Sequence, residues 1–519
     1  LKLENLVVQS GDRKASLSWN AVEGATSYNV YRSTTVDGTF AVVSNIDSLT
    51  YEDPGLEVTQ TYYYYVTALK DVVEGPASEK VSIVTNLDQQ GAIYTGDYVV
   101  ISNESTDILT AETTGTLPTI MQQFSMSGGV DLPDYRENPL ISFEPIKEPE
   151  QDLSFDMTNE IQSEILYVGS SRLFKVKDRR NNTTSEIPAV LLYNGEKAQI
   201  WVHDGVISQA QATQLGSEFD NNIYQKIVDN FGAPSDVNND GKIAILTFDI
   251  QDGYTDAGSG GYIGGYFNPN DLLNTSYTDN YMEIFYIDTY PTMGKDENNL
   301  DVTKAYSTLA HEFQHMVNFS QDIIEGNIYT NSVNPKMDTW LNEGLSMAAE
   351  TLVYNQKVNE DRVNYYNNPY TTAIHDGRSL LNWDSKNDTL ANYSLSFLFL
   401  QYLKIQAGKG NAIFQEIIQH EKGNYEAVEA IIKEHIDPNM SFGEFMTAFR
   451  IALVFKEDTG LYGFKGDSVL NQIQPQLSTG GTKNLQGGGA IVVQPSKAGV
   501  DSTGKGENIH YTGIYTKEN

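Results

Sequence analysis

TKAYSTLAHEFQHMVNFS, residues 303–320, sets His311 and His315 four positions apart with Glu312 beside the first. Residues four apart share one face of an α-helix, so both imidazoles reach one ion and the Glu reaches a water bound to it. The flanks agree with a helix. Val302, Ala305, Leu309, Phe313, Met316 and Val317 form an apolar stripe, mostly at steps of three and four. Zinc with one open position needs a third protein ligand. Glu343 stands twenty-eight positions after His315, in TWLNEGLSMAAETLV. Trp340, Leu341, Leu345, Ala348 and Leu352 fall on one side of that stretch, which predicts a second helix. Glu350 and Glu312 are the alternatives for the third ligand.

HEFQHMVNF, the long spacer and WLNEGLSMAAE together resemble the gluzincin superfamily of zinc peptidases, and within it the hyicolysin-like bacterial neutral metallopeptidases. The resemblance extends over about residues 200–465 and is strongest at the two zinc helices. It implies a zincin-type domain, with a mixed sheet and an HExxH active-site helix, that hydrolyses peptide bonds in proteins. It makes His311, His315 and Glu343 the zinc ligands and Glu312 the general base. Met347 stands four after Glu343, where the thermolysin-like branch carries a carboxylate, so the outer partner of a ligating His is not found where that branch has it. The superfamily supplies an oxyanion donor from a later helix. Tyr393 in DTLANYSLSFLFLQYL is the candidate and His375 in AIHDGRS the alternative. Members also hold substrate along an edge strand. Gly264, Gly265 and Tyr266 in YIGGYF are the candidate substrate-binding residues, since glycines let another backbone approach.

SDVNNDGKIAIL presents Asp236, Asn238 and Asp240 before Gly241, like the first half of an EF-hand loop. Position 12 would be Thr247 rather than Glu, and the segment after the loop reads as a strand, so the expectation is a shorter calcium loop closed by Asp249 or water. The competing reading is an Asp/Asn-rich turn without an ion.

Residues 1–86 alternate apolar and polar positions in ASLSWNAV, SYNVYRS, TYYYYVTAL and KVSIVT. SLSWNAVEGATSYNVYRS, YEDPGL and TYYYYVTALKDVVEGPAS look like a fibronectin type III domain, with Trp19 and Tyr62–Tyr65 at its core positions. NLDQQG at 86–91 reads as a linker. Residues 92–200 form a β-rich region interrupted by an acidic stretch near Glu144–Asp156, and part of this region can belong to the sheet of the peptidase domain after it. SQAQATQLGSEFDNNIYQKIVDNF has helical spacing and stops at Gly232. The peptidase domain is expected over 201–465 and a small β appendage over 466–519. The whole is an α+β multidomain chain.

The 519 residues hold 34 Lys+Arg against 69 Asp+Glu, a net charge of −35, which sets the chain against nucleic acid and anionic membranes. With no Cys, thiol catalysis, disulfides and iron–sulfur clusters are excluded. No apolar run reaches the roughly 18 residues of a membrane span. Residue 1 is Leu, which suggests a processed N-terminus, and the module combination suggests secretion. GxxxxGK[ST] and GxSxG are missing, as is a third His at metzincin spacing. NYMEIF at 280–285 lacks the rest of the amino-terminus clamp of the aminopeptidase branch, which favours an endopeptidase. The expected partner is a protein or peptide substrate. Cell-surface or carbohydrate contact through the fibronectin-like domain is the further expectation, with a spacer as the plainer role. The rivals are an aminopeptidase, a peptidase directed at glycoproteins, and an inactive scaffold kept for binding.

Overall fold

A computed structural model describes residues 3, 5–11, 14–54, 56, 61–84, 92–117, 141–142, 166–255, 262–273, 280–296, 298–324, 337–368, 372–384, 388–478 and 480–515. The linker at 86–91 and the acidic stretch near Glu144–Asp156 lie outside the described residues. The chain forms two compact units. One draws on residues 1–124, 362–408 and 432–519, the other on 125–361 and 409–431.

In the first unit, the alternation read in residues 1–86 becomes a two-sheet sandwich. Val7–Gly11, Lys14–Ser18 and Thr50–Pro54 make one sheet. Ala41–Ile46, Ser27–Ser33, Thr61–Lys70 and Val73–Glu74 make the other, with Val81–Val84 also paired to Thr61–Lys70. Successive side chains of a strand point to opposite faces. Tyr62 and Tyr64 are accordingly buried with Trp19, Tyr28, Val30 and Val66. Tyr63 and Tyr65 are only half-buried. Asp53 anchors the interior, accepting from Tyr64 Oη at 2.8 Å and from Arg32 Nη1 at 2.9 and 2.8 Å.

The same unit holds a module assembled from distant parts of the chain. Tyr98–Asn103 lies between Ala490–Val493 and Ile509–Ile514, antiparallel to both. Ile93–Tyr94 pairs with Val500–Asp501, and Glu112–Thr113 with Asn484–Leu485. The strands that open the 92–200 stretch thus share sheets with the 466–519 tail. Val100 and Val492 pack on the helix Phe442–Phe455 through Ala448, Ile451 and Val454.

The second unit is built on a six-stranded sheet, in the order Ser171–Asp178, Thr183–Asn194, Ala198–His203, Ile243–Phe248, Ile284–Asp288, Gly265–Phe267. The sheet is mixed. Ala198–His203, Ile243–Phe248 and Ile284–Asp288 run parallel, and their neighbours are antiparallel. Every residue of Ile243–Phe248 and Ile284–Asp288 is buried, as expected for central parallel strands covered on both faces.

The helical stretch after Val206 divides in two. Helix α1, Gln209–Glu218, opens on a capping box of Ser208 and Gln211, and α2, Tyr224–Phe231, closes at Gly232 with φ 118°. Between them Phe219–Ile223 winds as a π-helix. Asp220, inside this turn, accepts from the backbone N–H groups of Glu196, Lys197 and Ala198 and from Tyr193 Oη, at 2.7 to 3.0 Å. Helix α3, Tyr306–Ile324, follows a 3-10 turn capped by Asp301. Helix α4, Thr339–Tyr354, packs along α3. Among the described residues no helix is long and apolar enough to cross a membrane.

Candidate metal centre

Helix α3 presents His311 and His315 one turn apart, and α4 presents Glu343 to both. All three are buried, and their ligand atoms lie within 4.8 Å of one another. Glu343 Oε2 is 3.2 Å from His311 Nε2 and 3.6 Å from His315 Nε2. Two ligands at zinc-bond distances and a tetrahedral angle stand roughly 3.3 Å apart, so the spacing fits one shared ion. Glu343 Oε1 is buried with no hydrogen-bond partner. A carboxylate oxygen left this way is costly unless a cation or donor meets it.

The electrostatics agree. Burial raises the Glu343 carboxyl, but the charge of His315 and the hydrogen bonds of both imidazoles overcome it and hold Glu343 ionised well below the usual carboxylate range. Burial opposes charge on His311, yet its bonds to Glu343 and Glu350 and the charges of Glu350 and Glu312 draw its pKa upward. Carboxylates thus surround the two imidazoles at a place built for positive charge.

Each imidazole has a second partner. His311 Nδ1 is 2.7 Å from Glu350 Oε1. His315 Nδ1 is 3.0 Å from Asn342 Oδ1 and 2.8 Å from Ser346 Oγ. Asn318 Nδ2 donates to the same Asn342 oxygen at 2.9 Å, and Ser346 Oγ donates to Gln314 Oε1 at 2.5 Å. The residue at four places after Glu343, Met347, is buried in the core, and the carboxylate missing there is supplied by Glu350. Glu350 meets the nitrogen opposite the one facing Glu343, so Glu343 is the carboxylate grouped with the two imidazoles.

Glu312 is fully buried on α3. Across from it runs Gly265–Phe267, the end strand of the sheet. A β-carbon on Gly265 would stand 3.0 Å from Glu312 Cγ and 2.7 Å from Thr308 Cγ2. Gly265 therefore faces the helix, and alternation turns Tyr266 to the other side. Tyr266 packs there in the core, its ring stacked 4.3 Å from Tyr286 and under the Arg179 guanidinium at 4.1 Å. The Tyr266 side chain thus points away from Glu312. Gly264 lends its carbonyl to the backbone N–H of Asp288 at 3.0 Å.

The Asp236 loop is a run of tight turns. Asp236 Oδ1 accepts from Gly241 N at 3.1 Å, Asn238 Oδ1 from Asp240 N at 3.2 Å, and Asp240 Oδ1 from Lys242 N at 2.9 Å. Each side chain closes a local turn, with Asn239 at φ 55° and Gly241 at φ 66°. Tyr393 and His375 belong to the first unit. Tyr393 is fully buried on the helix Thr389–Ala407, edge-on to Trp383 at 4.8 Å and beneath Arg362 at 5.6 Å. His375 is half-buried.

Over 343 residues the chain is 43% identical to the neutral metalloprotease ShpI of Staphylococcus hyicus, covering 66% of this chain and 76% of that protein. The chain belongs to this neutral metalloprotease family. It is thus a metal-dependent protease, and the His311, His315 and Glu343 cluster is its metal-binding candidate. A separate stretch of 69 residues, 13% of the chain, is 38% identical to 4% of an amylopullulanase from Thermoanaerobacterium thermosulfurigenes. A crystallised Fn3-like protein from Clostridium thermocellum aligns with 16% of the chain and 90% of its own length, at 33% identity and a TM-score of 0.15. No family profile matches the chain.

Proposed function

We propose that this metalloprotease is a zinc-dependent endopeptidase of the HExxH…Glu, gluzincin type. The observation that carries the proposal is the convergence of His311, His315 and Glu343 on one point, beside the buried Glu312. These three residues would hold the zinc. When bound, zinc polarises the scissile carbonyl and makes a water acidic near neutral pH. Glu312 takes a proton from the attacking water onto a carboxylate oxygen. The water oxygen bonds to the carbonyl carbon, the C–N bond breaks, and Glu312 delivers the proton to the departing nitrogen.

The end strand Gly265–Phe267 supports an extended substrate pairing by its backbone, with Gly265 keeping the wall beside Glu312 thin. Tyr393 is assigned as donor to the oxyanion on the resemblance alone, and Tyr393→Phe, with zinc retained and kcat lowered, is its test. The reading requires only the zinc, and the Asp236 loop has no part in it.

We assign the N-terminal sandwich a spacer role. Tyr31 and Tyr65 stack on each other at 4.5 Å and 20°, which occupies a face of each ring that a sugar would need. An extracellular location belongs to the same proposal and rests on the joining of such a module to a neutral metalloprotease.

Cleavage of casein by the wild type and by Glu312→Gln, each assayed for bound zinc, tests the proposal. The expected result is an active wild type and a variant that keeps its zinc and loses at least ~100-fold in kcat. A Glu312→Gln variant that cleaves casein at the wild-type rate overturns it.

A further inference from the structure

We propose that Glu350 is the positioning residue of the metal centre: it fixes the tautomer and tilt of His311 and makes that imidazole the stronger of the two histidine ligands. The inference rests on the zinc reading above. Glu343 and Glu350 lie seven residues apart on α4, so two helical turns bring them back to one face. They meet the two nitrogens of a single ring, Glu343 Oε2 at 3.2 Å from Nε2 and Glu350 Oε1 at 2.7 Å from Nδ1.

A neutral imidazole carries one N–H. The carboxylate at Nδ1 accepts only from an N–H, so it assigns the proton to Nδ1 and leaves the Nε2 lone pair for the metal. The contact is short and wholly buried, with Glu350 3% exposed and His311 not exposed at all. A charge-assisted hydrogen bond is strongest where water is excluded.

His315 is held differently. Its Nδ1 meets Asn342 Oδ1 and Ser346 Oγ, both uncharged. One ligand is therefore backed by a full negative charge and the other by neutral dipoles. The negative charge raises the basicity of His311 and adds to the attraction for a dication. It does so from the far side of the ring, without taking a coordination position and without touching the reacting atoms.

The test is zinc affinity, measured by competition with a chromophoric chelator, on full-length wild type, Glu350→Gln and Glu350→Asp. Melting of the metal-free proteins and the visible spectra of the cobalt-substituted forms are recorded in parallel. Glu350→Gln removes the charge at nearly constant volume and should weaken zinc binding by about 10- to 100-fold. Glu350→Asp keeps the charge one methylene farther back and should fall between Glu350→Gln and the wild type. The cobalt spectrum should shift, because the tilt of His311 changes, and zinc affinity should fall by more than any loss of metal-free stability accounts for. Equal zinc affinity in all three proteins overturns the proposal. So does a loss of affinity matched by an equal loss of metal-free stability with an unchanged cobalt spectrum, which marks a purely structural role. A wild type that takes up no zinc instead overturns the zinc reading on which the inference rests.

Discussion

Gly265 and Glu312 stand so close that a single methyl group cannot be placed between them. A β-carbon at 265 would lie 2.7 Å from Thr308 Cγ2, 2.9 Å from the Tyr286 carbonyl oxygen and 3.0 Å from Glu312 Cγ. The Tyr286 oxygen is backbone in a central strand and cannot yield cheaply. Gly265→Ala should therefore push α3 and Glu312 away from the edge strand. Overpacking of this kind costs about 1–3 kcal/mol, and a displacement near 1 Å at a reacting group can cost on the order of 100-fold in rate. His311 and His315 ride on the same helix, so the variant should bind zinc more weakly as well as lose kcat. Metal analysis beside steady-state kinetics checks this, and an unimpaired kcat would refute the close approach.

Asp220 is a second point of leverage. Its carboxylate satisfies three successive backbone N–H groups, of Glu196, Lys197 and Ala198, and the Tyr193 hydroxyl. Asp220→Ala leaves those donors to water or to nothing. The expected loss is about 2–3 kcal/mol of unfolding free energy for the second unit. Urea unfolding followed by circular dichroism reads it directly.

His375 gives the molecule a defined acid sensitivity. Burial lowers its pKa below 6.5, outweighing a hydrogen bond with Gln476 and the charge of Asp376. Below pH 6.5 the unfolded chain then takes up a proton that the folded chain refuses, so stability falls as the pH falls from 6.5 towards the folded value. Above 6.5 both states are neutral there and the contribution is constant. His375→Gln should flatten the melting temperature between pH 6.5 and 5 and leave it unchanged at pH 8. A parallel offset at all pH values would count against the assignment.

Removing the metal should uncouple the two helices that share it. With the ion gone, His311, His315 and Glu343 keep only their hydrogen bonds across the α3–α4 contact. A chelator should abolish casein cleavage and lower the melting temperature, by an amount that grows with the zinc concentration used as reference. Readdition of zinc should restore both.

What the sequence disclosed was local. HEFQH carries two ligands on one helical turn, and WLNEG sets Glu343 in an equally readable amphipathic helix. The alternation that buries Tyr62 and Tyr64 is written in the strand itself. What it withheld depended on partners. Four places after Glu343 the sequence offers only Met347, whereas α4 runs on and returns Glu350 to the same face. Gly264 to Tyr266 read as one unit because a three-residue strand does not announce its facing. DVNND suits an ion and a tight turn equally, since the same side-chain oxygens serve both. The stretch after Val206 reads as one helix, and only the tether between Asp220 and the loop at 196–198 explains its break. Nothing near Tyr98–Asn103 hints that its neighbours come from the far end of the chain.

That last pairing has a consequence in time. Val100 stands opposite Thr512, more than four hundred residues later. At about 5–20 residues per second of synthesis, roughly 20 to 80 seconds separate one from the other. Until Ala490–Val493 emerges late in that interval, Val99, Val100 and Ile101, fully buried in the finished fold, have neither of their strand neighbours. The metal-binding helices, lying between, are synthesised first. Ile509–Ile514 therefore closes a seam that Tyr98–Asn103 opened, and until it does the nascent chain carries an apolar strand edge that must be kept from other chains.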